Sequence, residues 1–288
     1  MTQPLPLRTV IPPISPTAWH IRFIADAPPE TAALRRFADP VPSVAVAERI
    51  DIPLLPKPLV WHERSDELFV LIVAPGTAAK VTGGDWMARP DHPDAPHAVS
   101  LPFEKGKISW RPGRVLVEKA SGFTDDALAA IAEFAFLEAE LRKLEAAIHP
   151  MERQAIADAA VAHDVSHAER EQSARFVKTI EALSLLRLRF ARLEPRFYVP
   201  DRSLPPGPRH LIARLARRAA AEERLEALND RLEACEDLYE GAVDRMSDFR
   251  WYRKGNLLEI AIVVLLSVEV ILLFCDVAIR LLMQHAGK

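Results

Sequence analysis

The chain has 288 residues, with 37 Lys plus Arg against 40 Asp plus Glu, nine His, two Cys, 24 Pro and only ten Gly. A formal charge of −3 excludes a uniformly basic nucleic-acid binder, while 49% hydrophobic residues suffice for at least one core. Glycine at about half its usual ~7% leaves few residues for phosphate-cradling loops, and Cys235 and Cys275 outline neither a disulfide framework nor a thiolate zinc site.

Proline divides the chain: 18 of the 24 lie before residue 121 and six after it. Long helices tolerate proline only near their starts, so the first 120 residues read as a separate module and the remainder as helical. Within that module, alternating or β-branched runs at Thr17 to Ile24, Ser43 to Ile52, Glu67 to Ala74 and Arg114 to Lys119 predict a small β-containing domain of mixed topology. The stretch from Thr82 to Pro102, rich in Gly, Pro, Asp and His, reads as loop.

At Thr124 the period changes. Thr124 is a candidate N-cap with Asp125 and Asp126 in the first turn, followed by Leu128, Ile131, Phe134, Leu137, Leu141, Leu144 and Ile148 at spacings of three and four. This helix is expected to stop at His149, before Pro150. A second, polar at first, becomes apolar from Phe176 through Leu193 and is expected to end at Pro195. A third begins near Pro208, in which Leu225, Leu228, Leu232, Cys235, Tyr239, Ala242, Met246 and Phe249 form an unbroken heptad seam that requires a partner helix. Spacing leaves open whether that partner is the helix after Thr124, folded back, or another subunit.

Charge is segregated. Glu133 to Glu171 carries nine acids and four bases, Arg187 to Arg224 ten Arg and four acids, and Glu226 to Asp248 eight acids and two Arg. Within the basic block, Arg209, Arg214, Arg217 and Arg218 form a patch for an anionic partner, such as RNA or a ribosome, through phosphate neutralisation. The competing reading pairs these arginines with the chain's own acidic helices.

From Leu257 through Leu282 the sequence is almost wholly apolar. At 1.5 Å per residue such a run makes roughly 39 Å of helix, enough for a ~30 Å hydrocarbon core, so it predicts a transmembrane helix. No secretory signal is read at the N-terminus, where Pro4, Pro6, Pro12 and Pro13 interrupt any apolar run. Arg245, Arg250, Arg253 and Lys254 upstream, against Arg280 and Lys288 downstream, place the bulk of the protein on the cytoplasmic side, or the matrix side in an organelle. The expected topology is a single-pass tail anchor. Glu269, Asp276 and Arg280 fall within about 20° of one helical stripe, and Glu259 lies at the upstream interface, so these four residues are expected to make membrane or oligomer contacts.

No GxxxxGK[ST], GxGxxG, HExxH, GxSxG or CxxC pattern occurs. His163 and His167, at i and i+4, are the best metal candidates, yet no third or fourth ligand is identifiable, so no metal and no other cofactor is expected.

The third helix carries a resemblance. Leu228-Asn229-Asp230-Arg231-Leu232, the acidic heptad helix after it, Leu258-Glu259-Ile260 opening the apolar run and Val268-Glu269-Val270 within it are similar to the C-terminal signature of the YagE family, which includes the sporulation and required-for-meiotic-nuclear-division proteins. The likeness is best over about residues 210 to 274 and weaker back to Val115; where the family usually has Trp, this chain has Ile260. It implies a membrane-anchored protein with an α/β N-terminal part and a helical C-terminal part, without established catalysis; mitochondrial relatives assemble as large homo-oligomers in the inner membrane and support translation. Asn229, Arg231, Glu259 and Glu269 sit at matching motif positions.

Together these readings predict an α+β chain: a Pro-rich β-containing domain over residues 1–120, a helical coiled-coil domain over 121–255 and a transmembrane helix over 256–283. The expected function is a non-catalytic scaffold or tether that self-associates through its heptad and membrane helices. An anchored enzyme or metal-dependent sensor built on the N-terminal domain is the alternative.

Overall fold

A computed structural model describes residues 15–25, 27–28, 30–57, 66–89, 97–119, 122–163, 170–200 and 203–286, except for the side chains of 161, 163, 170–173, 249–250, 253–257 and 273–286. It has an α+β fold whose strands form one seven-stranded mixed sheet. The strands are β1 (Thr17–Ala25), β2 (Arg35–Phe37), β3 (Ser43–Ile50), β4 (Glu67–Val73), β5 (Val99–Phe103), β6 (Gly106–Arg111) and β7 (Arg114–Glu118). The helices are α1 (Ala78–Thr82), α2 (Asp125–His163), α3 (Arg170–Tyr198), α4 (Pro206–Arg218) and α5 (Ala221–Ala286). Chain contacts divide the molecule into two compact units, one of Met1–Pro150 with Ser184–Glu233 and one of Met151–Leu183 with Ala234–Lys288.

In the first unit the strand order is β2-β3-β1-β4-β7-β6-β5, antiparallel except where β4 meets β7. All four β-rich runs of the sequence are strands, and the most apolar of them, β4, lies in the middle with both faces covered. On one face Ala18, Leu71, Val73 and Leu116 pack with Trp86 and Met87 from the segment after α1. On the other, Trp110 meets Phe134 edge-on at 4.8 Å, and Phe23 and Phe37 meet Phe136, which seats the first half of α2 on the sheet.

Three strands, β2, β5 and β6, have no counterpart among the runs read from the sequence. The loop reading of Thr82 to Pro102 is corrected at its end, where Val99–Phe103 is a strand. Its Pro102 lies in the edge strand β5, where a missing N–H costs no ladder bond. The β6–β7 hairpin turns at Pro112-Gly113, with Gly113 at φ +75°, the pairing a type II turn uses. Gly106, opening β6, admits no side chain: a Cβ there would run into the Glu118 carbonyl oxygen.

The helices also depart from expectation. Thr124 caps α2, its hydroxyl accepting from the Ala127 N–H at 3.3 Å, but α2 continues through Pro150 to His163. Pro150 and Ala146, whose carbonyl loses its intrahelical donor, both sit on the exposed side, where that carbonyl is open to solvent. Pro195 is likewise accommodated inside α3. The stretch read as one helix from Pro208 is two, because Ala220 adopts φ +51° between α4 and α5.

From Ala127 to Leu141 α2 is buried throughout, including Glu133, Glu138 and Glu140. Each acid has a cation: Arg35 lies 2.8 Å from Glu133, Lys143 2.6 Å from Glu140, and Arg224 and Arg142 2.7 and 2.9 Å from Glu138. Buried carboxylates persist only when paired in this way.

The second unit is built from helical segments alone. Ala155, Ala162, Phe176, Leu183, Cys235, Tyr239, Ala242 and Met246 form its interior. Asp158 is buried and accepts from the Tyr239 hydroxyl at 3.1 Å and from Arg175 at 2.7 Å, while Phe176 stands edge-on to Tyr239 at 5.3 Å. The heptad seam is therefore buried by the chain's own helices: Leu225, Leu228 and Leu232 in the first unit, Cys235 through Met246 in the second.

Burial, and next its hydrogen bond to Asp158, holds the Tyr239 phenol above its ordinary value. The unfolded chain releases this proton first, near pH 10. The stability contributed by the neutral phenol is thus whole below about pH 10 and is lost as pH rises from there through the folded value. Tyr239→Phe should cost about 1 kcal/mol at pH 8, because Asp158 keeps Arg175. The gap to the parent should narrow by pH 11, as read from urea midpoints; a constant gap would contradict this account.

Candidate functional site

Two surfaces stand out. The first lies on α5. All 15 described side chains from Leu258 to Leu272 are exposed, and 11 of them are large aliphatics with 50% to 70% of their surface open. A helix that is apolar on all sides has no face suited to water. Glu259 and Glu269 interrupt it, both exposed, while Ser267 turns its hydroxyl back to the Val263 carbonyl at 2.7 Å, satisfying its own donor within the helix. The side chains of Asp276 and Arg280 lie outside the described residues. Among the described residues, no helix is long and apolar enough to cross a membrane.

The second surface lies in the first unit, where α4 packs along the edge strand β5. Arg214 donates to the Pro102 carbonyl at 2.6 Å, capping part of the free sheet edge. Arg214, Arg217 and Arg218 line a recess of about 310 Å³, with Leu101 the other described residue of its wall. Arg209 is not part of it, since five residues separate it from Arg214, about 140° around the helix. Of the four arginines read from the sequence as a patch for an anionic partner, three line this recess.

Much of the remaining arginine block is engaged within the chain. Arg224 makes a double fork to Glu138 and Glu145, Arg196 meets Asp39 at 2.7 Å, and Arg187 donates to Asn229 Oδ1 at 2.6 Å. Asn229 therefore holds α3 to α5 within the first unit. Arg231 is half-buried two positions on.

Sequence reasoning passed over Arg111 and Arg114, which flank the β6–β7 turn. Both are buried; Arg111 donates to the Ala88 carbonyl, and Arg114 donates to the Lys57 carbonyl at 2.7 Å with its guanidinium 5.7 Å from the Trp86 ring. Burial lowers both guanidinium values, and the neighbouring Arg111 charge adds to the effect on Arg114, which falls to about 10. The pair pins the Trp86 segment to the sheet. The signal was present in the register, which places two Arg opposite each other at a hairpin end.

A further recess of about 400 Å³ lies on the Trp86 face of the sheet, with Asp85, Lys107 and Glu118 among its walls. Glu118 is engaged there, accepting from the Gly76 N–H at 2.9 Å. Among the described residues no group of three His, Cys, Asp or Glu could hold a metal ion. His163 and His167 fall outside the described side chains. Cys235 is buried and in no disulfide, and the side chain of Cys275 is outside the described residues.

No protein-family model and no curated protein matches the chain.

Proposed function

We propose that this chain is a membrane-anchored, non-catalytic scaffold or tether of the YagE kind, held at the bilayer by the C-terminal part of α5 and self-associating through it. The observation that carries the reading is the Leu258–Leu272 segment, apolar on every side and exposed on every side. Its 15 residues make about 22 Å of helix, and the apolar sequence continues to Leu282, past the described side chains, giving the length a span needs. Lipid is the environment that suits such a surface without a matching protein groove. With the heptad seam already buried inside the chain, Glu269, an exposed carboxylate within the apolar segment, is the group we assign to contacts between copies. The bulk of the protein then lies on the cytoplasmic or matrix side, where its first unit is presented to a partner.

The test is extraction. The parent protein should remain with membranes through alkaline carbonate washing, whereas Leu265→Arg/Leu266→Arg, at about 2.5 to 3.5 kcal/mol per charge near the centre of a span, should be released. Glu269→Leu should stay in the membrane but crosslink less in detergent. Parent protein released by carbonate would overturn the anchor, and unchanged crosslinking of Glu269→Leu would overturn the role given to that residue.

A further inference from the structure

We infer that the recess formed by Arg214, Arg217, Arg218 and Leu101 binds a phosphate group. Arg214, Arg217 and Arg218 line about 310 Å³ of space, and no carboxylate is among the described residues of its lining. Arg214 spends one donor on the Pro102 carbonyl. Arg217 and Arg218 form no side-chain hydrogen bond or ion pair with any described residue, so their forks are free to meet an oxyanion. This contrasts with Arg224, one helix on, whose donors are taken up by Glu138 and Glu145. The acidic block of the chain reaches one arginine and leaves the other two open.

Chemistry selects phosphate. Each guanidinium presents parallel N–H donors that fit two oxygens of one phosphate, and several such forks around a tetrahedral anion satisfy it better than a planar carboxylate can. Leu101, which is nearly inaccessible, makes an apolar floor that limits competing water. The partial negative charge at the C-terminus of α4 accounts for a cation in its last turn. It does not account for three arginines around one recess, with Arg214 a full turn earlier. No aromatic side chain is among the described residues that line the site, so they give a base nothing to stack on and recognise the phosphate. None of the exposed large hydrophobic residues belongs to α4 or β5, so this surface lacks the apolar partner of a lipid-binding patch. The ligand class is a polyphosphate, free or as the backbone of a single-stranded RNA.

This inference does not depend on the membrane anchor, because the recess lies in the first unit and its readout is ligand binding. The full chain in detergent is titrated with sodium tripolyphosphate by calorimetry and with a labelled oligouridylate by anisotropy. Arg217→Ala/Arg218→Ala should weaken binding at least tenfold, and Arg217→Lys/Arg218→Lys, which keeps charge but loses the forks, about threefold. In the RNA arm, the slope of log affinity against log salt should fall from about −2 for three contacts to about −0.7 for one. Thermal melting controls for folding: both side chains are exposed, so the melting temperature should not move. Tripolyphosphate binding alone assigns a small polyphosphate, and binding of both assigns the RNA backbone when the oligonucleotide is the tighter. Binding of neither, or binding that the Ala pair leaves unchanged, overturns the site. A fall in melting temperature with unchanged binding shows that the arginines serve the fold alone.

Discussion

Replacing Arg224 with Ala should lower the free energy of unfolding by about 3 kcal/mol, the lower end of what breaking a buried ion pair costs. Its guanidinium holds Glu138 with bonds of 2.7 and 2.9 Å and Glu145 with bonds of 2.8 and 2.7 Å. Glu138 has only 2% of its side chain exposed, against 28% for Glu145, so the penalty falls on Glu138. Arg142 still reaches Glu138 at 2.9 Å after the change, which keeps the loss from the upper end of the range. Burial alone would pull the Arg224 value down, but the hydrogen bonds it donates to Glu145 and the charges of both carboxylates raise it above its ordinary value, so the guanidinium stays charged. The control is Arg22, 4.0 Å from Glu48 with half or more of each side chain exposed, where Arg22→Ala should cost under about 0.5 kcal/mol. Urea unfolding of the two variants separates the cases. Recovery of most of the loss in Arg224→Met/Glu138→Leu would show that the cost lies in stranding Glu138 rather than in losing an attraction. Equal effects of Arg224→Ala and Arg22→Ala would refute the argument.

Arg224 also marks where sequence reading stops. Its membership of a basic block between acidic helices was plain, but whether such a block faces its own chain or a ligand depends on which helical faces meet. The structure divides the block residue by residue: Arg187, Arg196 and Arg224 turn inward, Arg217 and Arg218 do not. Periodicity fared better. The runs at Thr17, Ser43, Glu67 and Arg114 became strands because β-branched and aromatic residues there fit a pleated, buried surface. The heptad seam from Leu225 to Met246 is buried at every position. Proline misled in both directions: Pro102 hid an edge strand and Pro150 suggested a helix end, since the cost of a missing N–H depends on whether water or a ladder partner stands opposite. The real break, at Ala219-Ala220, has no breaker residue at all; tertiary packing of α4 against β5 and of α5 against α2 imposes it over a local helical preference. Arg209 could have been separated from the other three arginines by helical angle alone.

The remaining large effect is at Phe134. Its ring is fully buried on α2 and meets Trp110 of β6 edge-on at 4.8 Å, at the place where helix and sheet join. Phe134→Ala removes that contact and leaves a void whose other walls are tied to the sheet ladder and to α2, so the site cannot collapse; the expected loss is about 3 to 5 kcal/mol. Phe134→Leu keeps most of the volume and gives up chiefly the ring geometry, worth about 0.5 to 1.5 kcal/mol. The chain has five Trp, so the share of the emission that Trp110→Phe removes is the local reading; the Trp110 indole is 3% exposed and a cavity beside it admits solvent. In Phe134→Ala the emission should shift to longer wavelength before global unfolding, as the helix–sheet contact loosens first. In Tyr239→Phe, whose changed group belongs to the second unit, the emission should stay where it is. An unshifted Trp110 signal together with a loss below about 2 kcal/mol would mean that Phe134 is not the principal contact seating α2 on the sheet.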